Sequence, residues 1–486
     1  MENAFQRVRD ELERMGRTVG SCPFRTNYHI MPPVGWLNDP NGLCQFRGVF
    51  HAYFQYSPLN VHGGGGYWGH CVSSDLLCWE YREPVLAADT PEDRSGVYSG
   101  SALVETDRMY LFYTGNVKLP GDYDYIDAGR ISTQLLVESG DGQQMSPKEK
   151  ILGTEDYPAD ITEHVRDPKV WSEDGHYYMV LGARARRWED GIRRDKGGIL
   201  LYCSEDKKHW KLYREIVPQK AFGYMWECPD IFTLSGKKVL SFCPQGLARG
   251  EERFQNIYQS GYCLAKPGET LEEALCDSPE DTFREWDMGF DFYAPQTFEA
   301  EDGRRILIGW AGVPDTEDVH KNLSVKNGWQ HCLTLPGELT LRDGKIFRTP
   351  VRELDKLPWQ KGIAQENRYH WEDHAVRLFL SEIGGEKREV IIGSRKNGLT
   401  IRSEGNKTEI SFLDETGKKA LCGGGRGRRI GRTQGMVESL LILVDSSIAE
   451  IFVNGGEIVF TTRIYLEKAE RDMELCRSGK YKLEVV

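Results

Sequence analysis

Short apolar runs separated by turn residues recur along the first two thirds of the chain, and each follows a polar or acidic head. The first head, Asn38-Asp39-Pro40, leads through Gly48 to the run Phe50–Tyr56. The second, near Tyr98-Ser99-Gly100-Ser101, turns at Asp107-Arg108 and ends at Met109–Tyr113. The third runs from Arg166-Asp167-Pro168 to His176–Leu181, and the fourth from Glu227-Cys228-Pro229 to Val239–Cys243. The fifth runs from Ala294-Pro295-Gln296 to Ile306–Trp310. Paired strands with a turn between them fit each unit. The heads are spaced by 60, 68, 61 and 67 residues, enough for four strands and their loops. Near-regular return of an all-β unit is the mark of radial repetition about a central channel. An echo supports it: Asp75 precedes Trp79 by four residues, as Asp206 precedes Trp210. The pattern predicts a five-bladed β-propeller over 24–345, whose heads begin the innermost strands and meet at one end of the channel.

Before the propeller, Phe5, Val8, Leu12 and Met15 fall at helical spacing and predict an N-terminal helical extension over 1–23. After it, 346–375 reads as a polar linker. Over 376–486, eight short strand-like runs and the hairpin signal Asn454-Gly455-Gly456 predict a C-terminal β-sandwich. The fold class is all-β throughout.

Composition then narrows the chemistry. A net charge of −12 argues against nucleic acid or an anionic membrane as partner. No apolar run approaches the length of a membrane span, and Met1–Gly20 lacks an apolar export core. The 12 cysteines are scattered and form no metal-ligand spacing, so they read as free, mostly buried thiols of a cytoplasmic protein. The sequence leaves the oligomeric state open.

Asn38-Asp39-Pro40-Asn41-Gly42, taken alone, is an ordinary turn. Pro40 biases Asp39 towards extended backbone, and Gly42 admits angles other residues resist. With Asp167 and Glu227 at equivalent heads, the three carboxylates are expected to converge. A carboxylate pair flanking a glycosidic bond can hydrolyse it, one group protonating the leaving oxygen while the other attacks or activates water. Tyr224, Met225 and Trp226 predict apolar surroundings for Glu227, which suit an acid. Asn38 and Asn41 would donate to Asp39 and favour its ionised form, and Arg166 would keep Asp167 ionised.

Trp36–Gly42, Arg166-Asp167-Pro168 and Glu227-Cys228-Pro229 resemble the signature motifs of glycoside hydrolase family 32. The resemblance continues at Gln55–Pro58, Trp68-Gly69-His70, Tyr98–Ser101, Phe290–Phe298, Gly328-Trp329, Leu333–Leu341 and Ala449–Asn454, spanning about residues 24–466. It implies a propeller with a sandwich, no metal or other cofactor, and a retaining mechanism on β-D-fructofuranosides. Asp39 would be the nucleophile, Glu227 the acid/base and Asp167 the transition-state stabiliser. Asn38, Gln55, Trp68, Tyr98, Ser99, Arg166 and Trp310 would line the fructose subsite. The implied substrate is a small fructoside, sucrose or sucrose 6-phosphate, with fructo-oligosaccharides or fructans as the alternative and a non-catalytic sugar-binding propeller as a different class. Glycine-rich His62–Tyr67, Tyr98 for Phe, and Gly337 for Arg depart from the family pattern; a mobile loop at 62–67 is expected. A phosphate would require Lys or Arg, and the run Arg184, Arg186, Arg187, Arg193, Arg194, Lys196 could supply it or be a solvated loop.

Overall fold

A computed structural model describes residues 2–64, 66–265, 273, 275, 279–372, 374–477 and 479–486. Met1, Gly65, at the centre of the glycine-rich loop, and Cys276 lie outside the described residues. Five antiparallel sheets form the blades of the propeller. Their innermost strands are Gly35–Phe46, Gly96–Val104, Ile161–Glu173, Met225–Leu234 and Tyr293–Glu299. The ring closes when Trp329–Gln330, from beyond the fifth blade's second strand, pairs parallel with Gly35-Trp36 of the first. The Ser-x-Asp turn joining a third strand to a fourth appears as Ser73/Asp75, Ser139/Asp141 and Ser204/Asp206, each aspartate capping backbone amides two and three residues on. Two of these were visible as the Asp–Trp echo.

Every inner strand breaks register at its head, at 37–40, 97–100, 166–169, 227–230 and 293–296. Proline, which cannot donate to a strand ladder, stands in four of the breaks. Asp167, Cys228 and Ala294, each just before its proline, have φ of 64°, 47° and 47°. Gly42 (φ 53°) could not be replaced freely, because a Cβ there would lie 2.7 Å from the Tyr53 ring. A bulge re-aims side chains that would otherwise alternate between faces. It lets two consecutive residues of one head face the channel.

The C-terminal domain is a sandwich of two six-stranded sheets. Val376–Ser381 lies between Lys480–Val485 and Leu440–Asp445 in one; Arg388–Gly393 lies between Asp472–Arg477 and Gly398–Glu404 in the other. The stretch 346–375 is not a simple linker. Lys345–Pro350 is the outer strand of the fifth blade, and Gln360–Lys361 and Arg368–His370 are edge strands of the two sandwich sheets. Edge strands carry charge to avoid further pairing, and that charge produced the linker reading. The N-terminal helix, Glu2–Gly20, buries Val8 and Val19 and packs Leu12 and Met15 against the first blade and its closing strand.

Buried ion pairs join the two domains. Arg426 of the sandwich makes a two-pronged contact with Asp291, at 2.6 Å on each prong. His29 lies between Asp445 (2.7 Å) and Glu450 (3.0 Å), all three buried. Burial alone would lower its pKa, but hydrogen bonds to the two carboxylates outweigh this and raise it to about 9. A raised folded-state value stabilises fully below the unfolded pKa of about 6.5, and that gain is lost as pH rises through 9. We therefore expect the thermal midpoint of the protein to fall between pH 7 and pH 10, with a smaller fall in His29→Gln. Equal pH slopes in melting curves of the two proteins would refute the clamp.

Candidate active site

The five heads enclose a cavity of about 520 Å³, within the usual range for small-molecule sites. Asn38-Asp39, Tyr98-Ser99, Arg166-Asp167 and Glu227-Cys228 all line it, together with Trp36, Gln55, Tyr293 and Trp310. The bulges thus place adjacent residues of four heads on one wall.

Asp39 accepts hydrogen bonds from Ser99 Oγ (2.6 Å) and Asn38 Nδ2 (3.1 Å). Asn38 is itself held by the Trp36 indole at 2.8 Å. Burial raises the Asp39 carboxyl above its ordinary value, while the bonds from Ser99 and Asn38 oppose the rise. Asn41, a donor to Asp39 in the sequence reading, instead accepts from the Gly100 amide at 3.2 Å.

Arg166 pairs less closely with its neighbour Asp167 than with Glu227. Its guanidinium grips Glu227 Oε1 at 2.6 and 3.2 Å, whereas Asp167 is 4.0 Å away. Glu227 Oε2 accepts from the Tyr293 hydroxyl (2.7 Å) and Gln245 Nε2 (2.8 Å). Both Glu227 oxygens are thus taken by polar partners, where Tyr224, Met225 and Trp226 suggest an apolar setting; Trp226 packs in the core with Phe222 and Phe242. Burial pushes the Asp167 carboxyl up to about 7, Arg166 opposing and the Glu227 and Asp39 charges adding.

Cys228, which the sequence offers only as an apolar neighbour of Glu227 within its motif, links two of the acids. Its amide donates to Asp167 Oδ2 at 2.9 Å, and its Sγ lies 3.6 Å from Asp167 and 3.8 Å from Asp39. A hydrogen bond with Cys243, burial and the nearby acids hold it as a thiol. Tyr293 was missed too, although it opens the fifth head one residue before Ala294-Pro295. The repeat itself was the signal that could have found it. Gln245, at the end of the strand paired with the Glu227 strand, had no such signal.

Gln55 Nε2 and Trp310 Nε1 are buried donors with no partner among the described residues, so both remain available to a sugar. Trp68 is a correction. Its indole is fully buried behind the wall and donates to the Tyr98 carbonyl at 3.0 Å. It supports Tyr98 from behind and does not line the cavity. Gly63 (φ 88°) lies against the Trp36 indole, which a Cβ there would approach to 3.2 Å.

The arginine run also reads differently in three dimensions. Arg184 pairs with Asp195, Arg186 with Asp127, and Arg187 with Asp160 and Glu215. Arg193 pairs with Asp127 and Asp195, and Arg194 and Lys196 with Glu189. None of the six lines the cavity.

Among the described residues no group of three or more His, Cys, Asp or Glu could hold a metal ion, and no helix is long and apolar enough to cross a membrane. The arrangement of acids suits general acid catalysis paired with attack by a carboxylate.

Comparison with known proteins agrees. Residues 29–350 match the model of the glycosyl hydrolases family 32 N-terminal domain, and 394–486 that of the family 32 C-terminal domain. The sucrose-6-phosphate hydrolase of Bacillus subtilis is 35% identical over 492 residues, covering 99% of this chain and 97% of that protein. The structure of sucrose-6-phosphate hydrolase from Lactobacillus gasseri superposes with a TM-score of 0.82 at 28% identity, covering 98% of this chain and 95% of that one. A Bombyx mori β-fructofuranosidase variant in complex with sucrose gives the same TM-score and identity, covering 100% and 98%. Motifs, fold and comparisons agree that the chain belongs to glycoside hydrolase family 32.

Proposed function

We propose that this enzyme is a retaining β-fructofuranosidase that releases fructose from sucrose 6-phosphate and sucrose. The observation that carries the reading is the meeting of Asp39, Asp167 and Glu227 in one disaccharide-sized cavity. Relatives named sucrose-6-phosphate hydrolase, matching nearly end to end, give the substrate class.

In this reading Asp39 attacks the anomeric carbon of the fructosyl unit. The bond to the bridging oxygen breaks as Glu227 delivers its proton there, and glucose or its phosphate departs. Glu227 then takes a proton from water, whose oxygen attacks the same carbon and returns Asp39 as a carboxylate. Ser99 and Asn38 fix the attacking oxygen, and Tyr293, Gln245 and Arg166 fix Glu227. Positioning of this kind lowers the entropic part of the barrier. Asp167, Gln55 and Trp310 would bind fructose hydroxyls. We place the reaction in the cytoplasm: the described cysteines are free thiols, eight of them buried, as suits a reducing compartment.

The test is purified enzyme on sucrose, sucrose 6-phosphate, kestose, inulin, levan and an arabinan, with the first-formed anomer followed by NMR. Fructose from sucrose or its phosphate, released first as the β-anomer, is the expected result. No fructose from either would end the reading, and release as the α-anomer would end the retaining mechanism.

A further inference from the structure

The cavity mouth is electrostatically lopsided. Two cationic side chains line the cavity, Arg166 and Lys118. Arg166 is committed: Nε and Nη2 hold Glu227, and Nη1 lies 2.9 Å from His164 Nδ1. Lys118 is exposed and makes no ion pair among the described residues, with the Tyr125 ring 5.6 Å from its Nζ. It ends the second strand of the second blade, two residues beyond the Gly96–Asn116 pair, and so sits at the rim beside the Tyr98-Ser99 head. Its amide donates to Ser95 Oγ at 2.9 Å, which ties the exposed Ser95 side chain to the same patch and leaves the Ser95 hydroxyl proton free to donate. Asp315 and Glu317, from the chain following the second strand of the fifth blade, also line the cavity. An anion entering this mouth is drawn towards the Lys118 patch and repelled by the Asp315 and Glu317 carboxylates.

A fructoside whose fructose sits on the three acids must place its leaving sugar towards the rim. A sugar phosphate carries between one and two negative charges at neutral pH and takes charge-assisted hydrogen bonds from an ammonium group and a hydroxyl. We propose that Lys118, with the Ser95 hydroxyl beside it, receives the phosphate of a phosphorylated leaving sugar and sets the preference of this site for sucrose 6-phosphate over sucrose. The proposal rests on the reading of the cavity as a β-fructofuranosidase site. It replaces the Arg184–Lys196 run, whose cations are all held by carboxylates.

The test is the ratio of kcat/KM for sucrose 6-phosphate to that for sucrose, measured on one preparation so that any loss of folded enzyme cancels. Wild type should favour the phosphate. Lys118→Met should lower the ratio about tenfold or more, the scale of one hydrogen bond to a charged group. Lys118→Arg should restore most of it. Added salt should lower the wild-type ratio but not that of Lys118→Met, where only the repulsion from Asp315 and Glu317 is left to screen. A wild type that favours the phosphate, with Lys118→Met at the same ratio, overturns the role of Lys118 and leaves the fructosidase reading standing. A wild type that cleaves both substrates without preference overturns the phosphate site itself. A wild type that releases fructose from neither overturns both readings.

Discussion

Replacing Asp39 by asparagine should lower kcat on sucrose by on the order of a thousandfold or more, with little change in fold. The amide keeps the shape and can still hydrogen-bond Ser99 and Asn38, but it cannot attack carbon, and loss of a nucleophile removes the covalent route itself. Stability should move the other way. The folded-state pKa of Asp39 is raised by burial, so ionising it costs stability as pH rises above the unfolded value. The amide of Asp39→Asn has no charge to bury. At neutral pH the variant should therefore melt no lower than wild type, while at pH 4 or below the two should converge. Steady-state rates and melting curves on the same preparations check both halves. A variant near wild-type rate would remove Asp39 from the attacking role, and one that is slow because it is unfolded would show it in the melt.

Glu227→Gln should be nearly as slow on sucrose, at least about a hundredfold down, the lower scale of general acid–base effects. The diagnostic is unevenness. An aryl fructoside whose phenol leaves without protonation should lose much less in the first step, and azide should partly restore turnover because it needs no base to attack the intermediate. Equal losses on both substrates, with no effect of azide, would show that residue 227 holds the site together without moving a proton. Removing this carboxylate also frees the Arg166 guanidinium, now 2.6 Å from it. The Gln variant keeps hydrogen-bonding capacity there, which is why it is preferred to alanine.

The heads of the blades were legible because the same physical problem is solved five times. Each must break register at the channel, and four do so with a proline that stands out in the sequence. The contacts between heads were less legible. Arg166 and Asp167 are adjacent and opposite in charge, and in an isolated segment they would be read as partners. The left-handed turn at Asp167 (φ 64°) and the approach of Glu227 from the next blade redirect the guanidinium, and neither is visible locally. The strand Arg428–Arg432 was missed for a related reason. Its sequence, Arg-Arg-Ile-Gly-Arg, looks like solvent-facing loop. Yet Arg429 is buried in the domain seam, over the Phe290 ring and hydrogen-bonded to Asn256. Burial of a charge is set by partners supplied by the other domain, 173 residues back in the chain for Asn256. Trp68 was placed on the wrong side of the wall because a motif names a residue without saying whether it touches the ligand or its neighbour.

The parallel pairing of Trp329–Gln330 with Gly35-Trp36 has a bearing on biosynthesis. The strand that carries Asp39 leaves the ribosome 294 residues before the segment that closes the ring on it. At about 5–20 residues per second, that interval is roughly 15–60 s. For that time the first blade has an open edge, and the apolar faces of the blades have no circular neighbour. The nascent chain is therefore at its most exposed to misassociation just when its first four blades are made. Chaperone demand should fall once residue 350, the end of the fifth blade's outer strand, has cleared the exit tunnel.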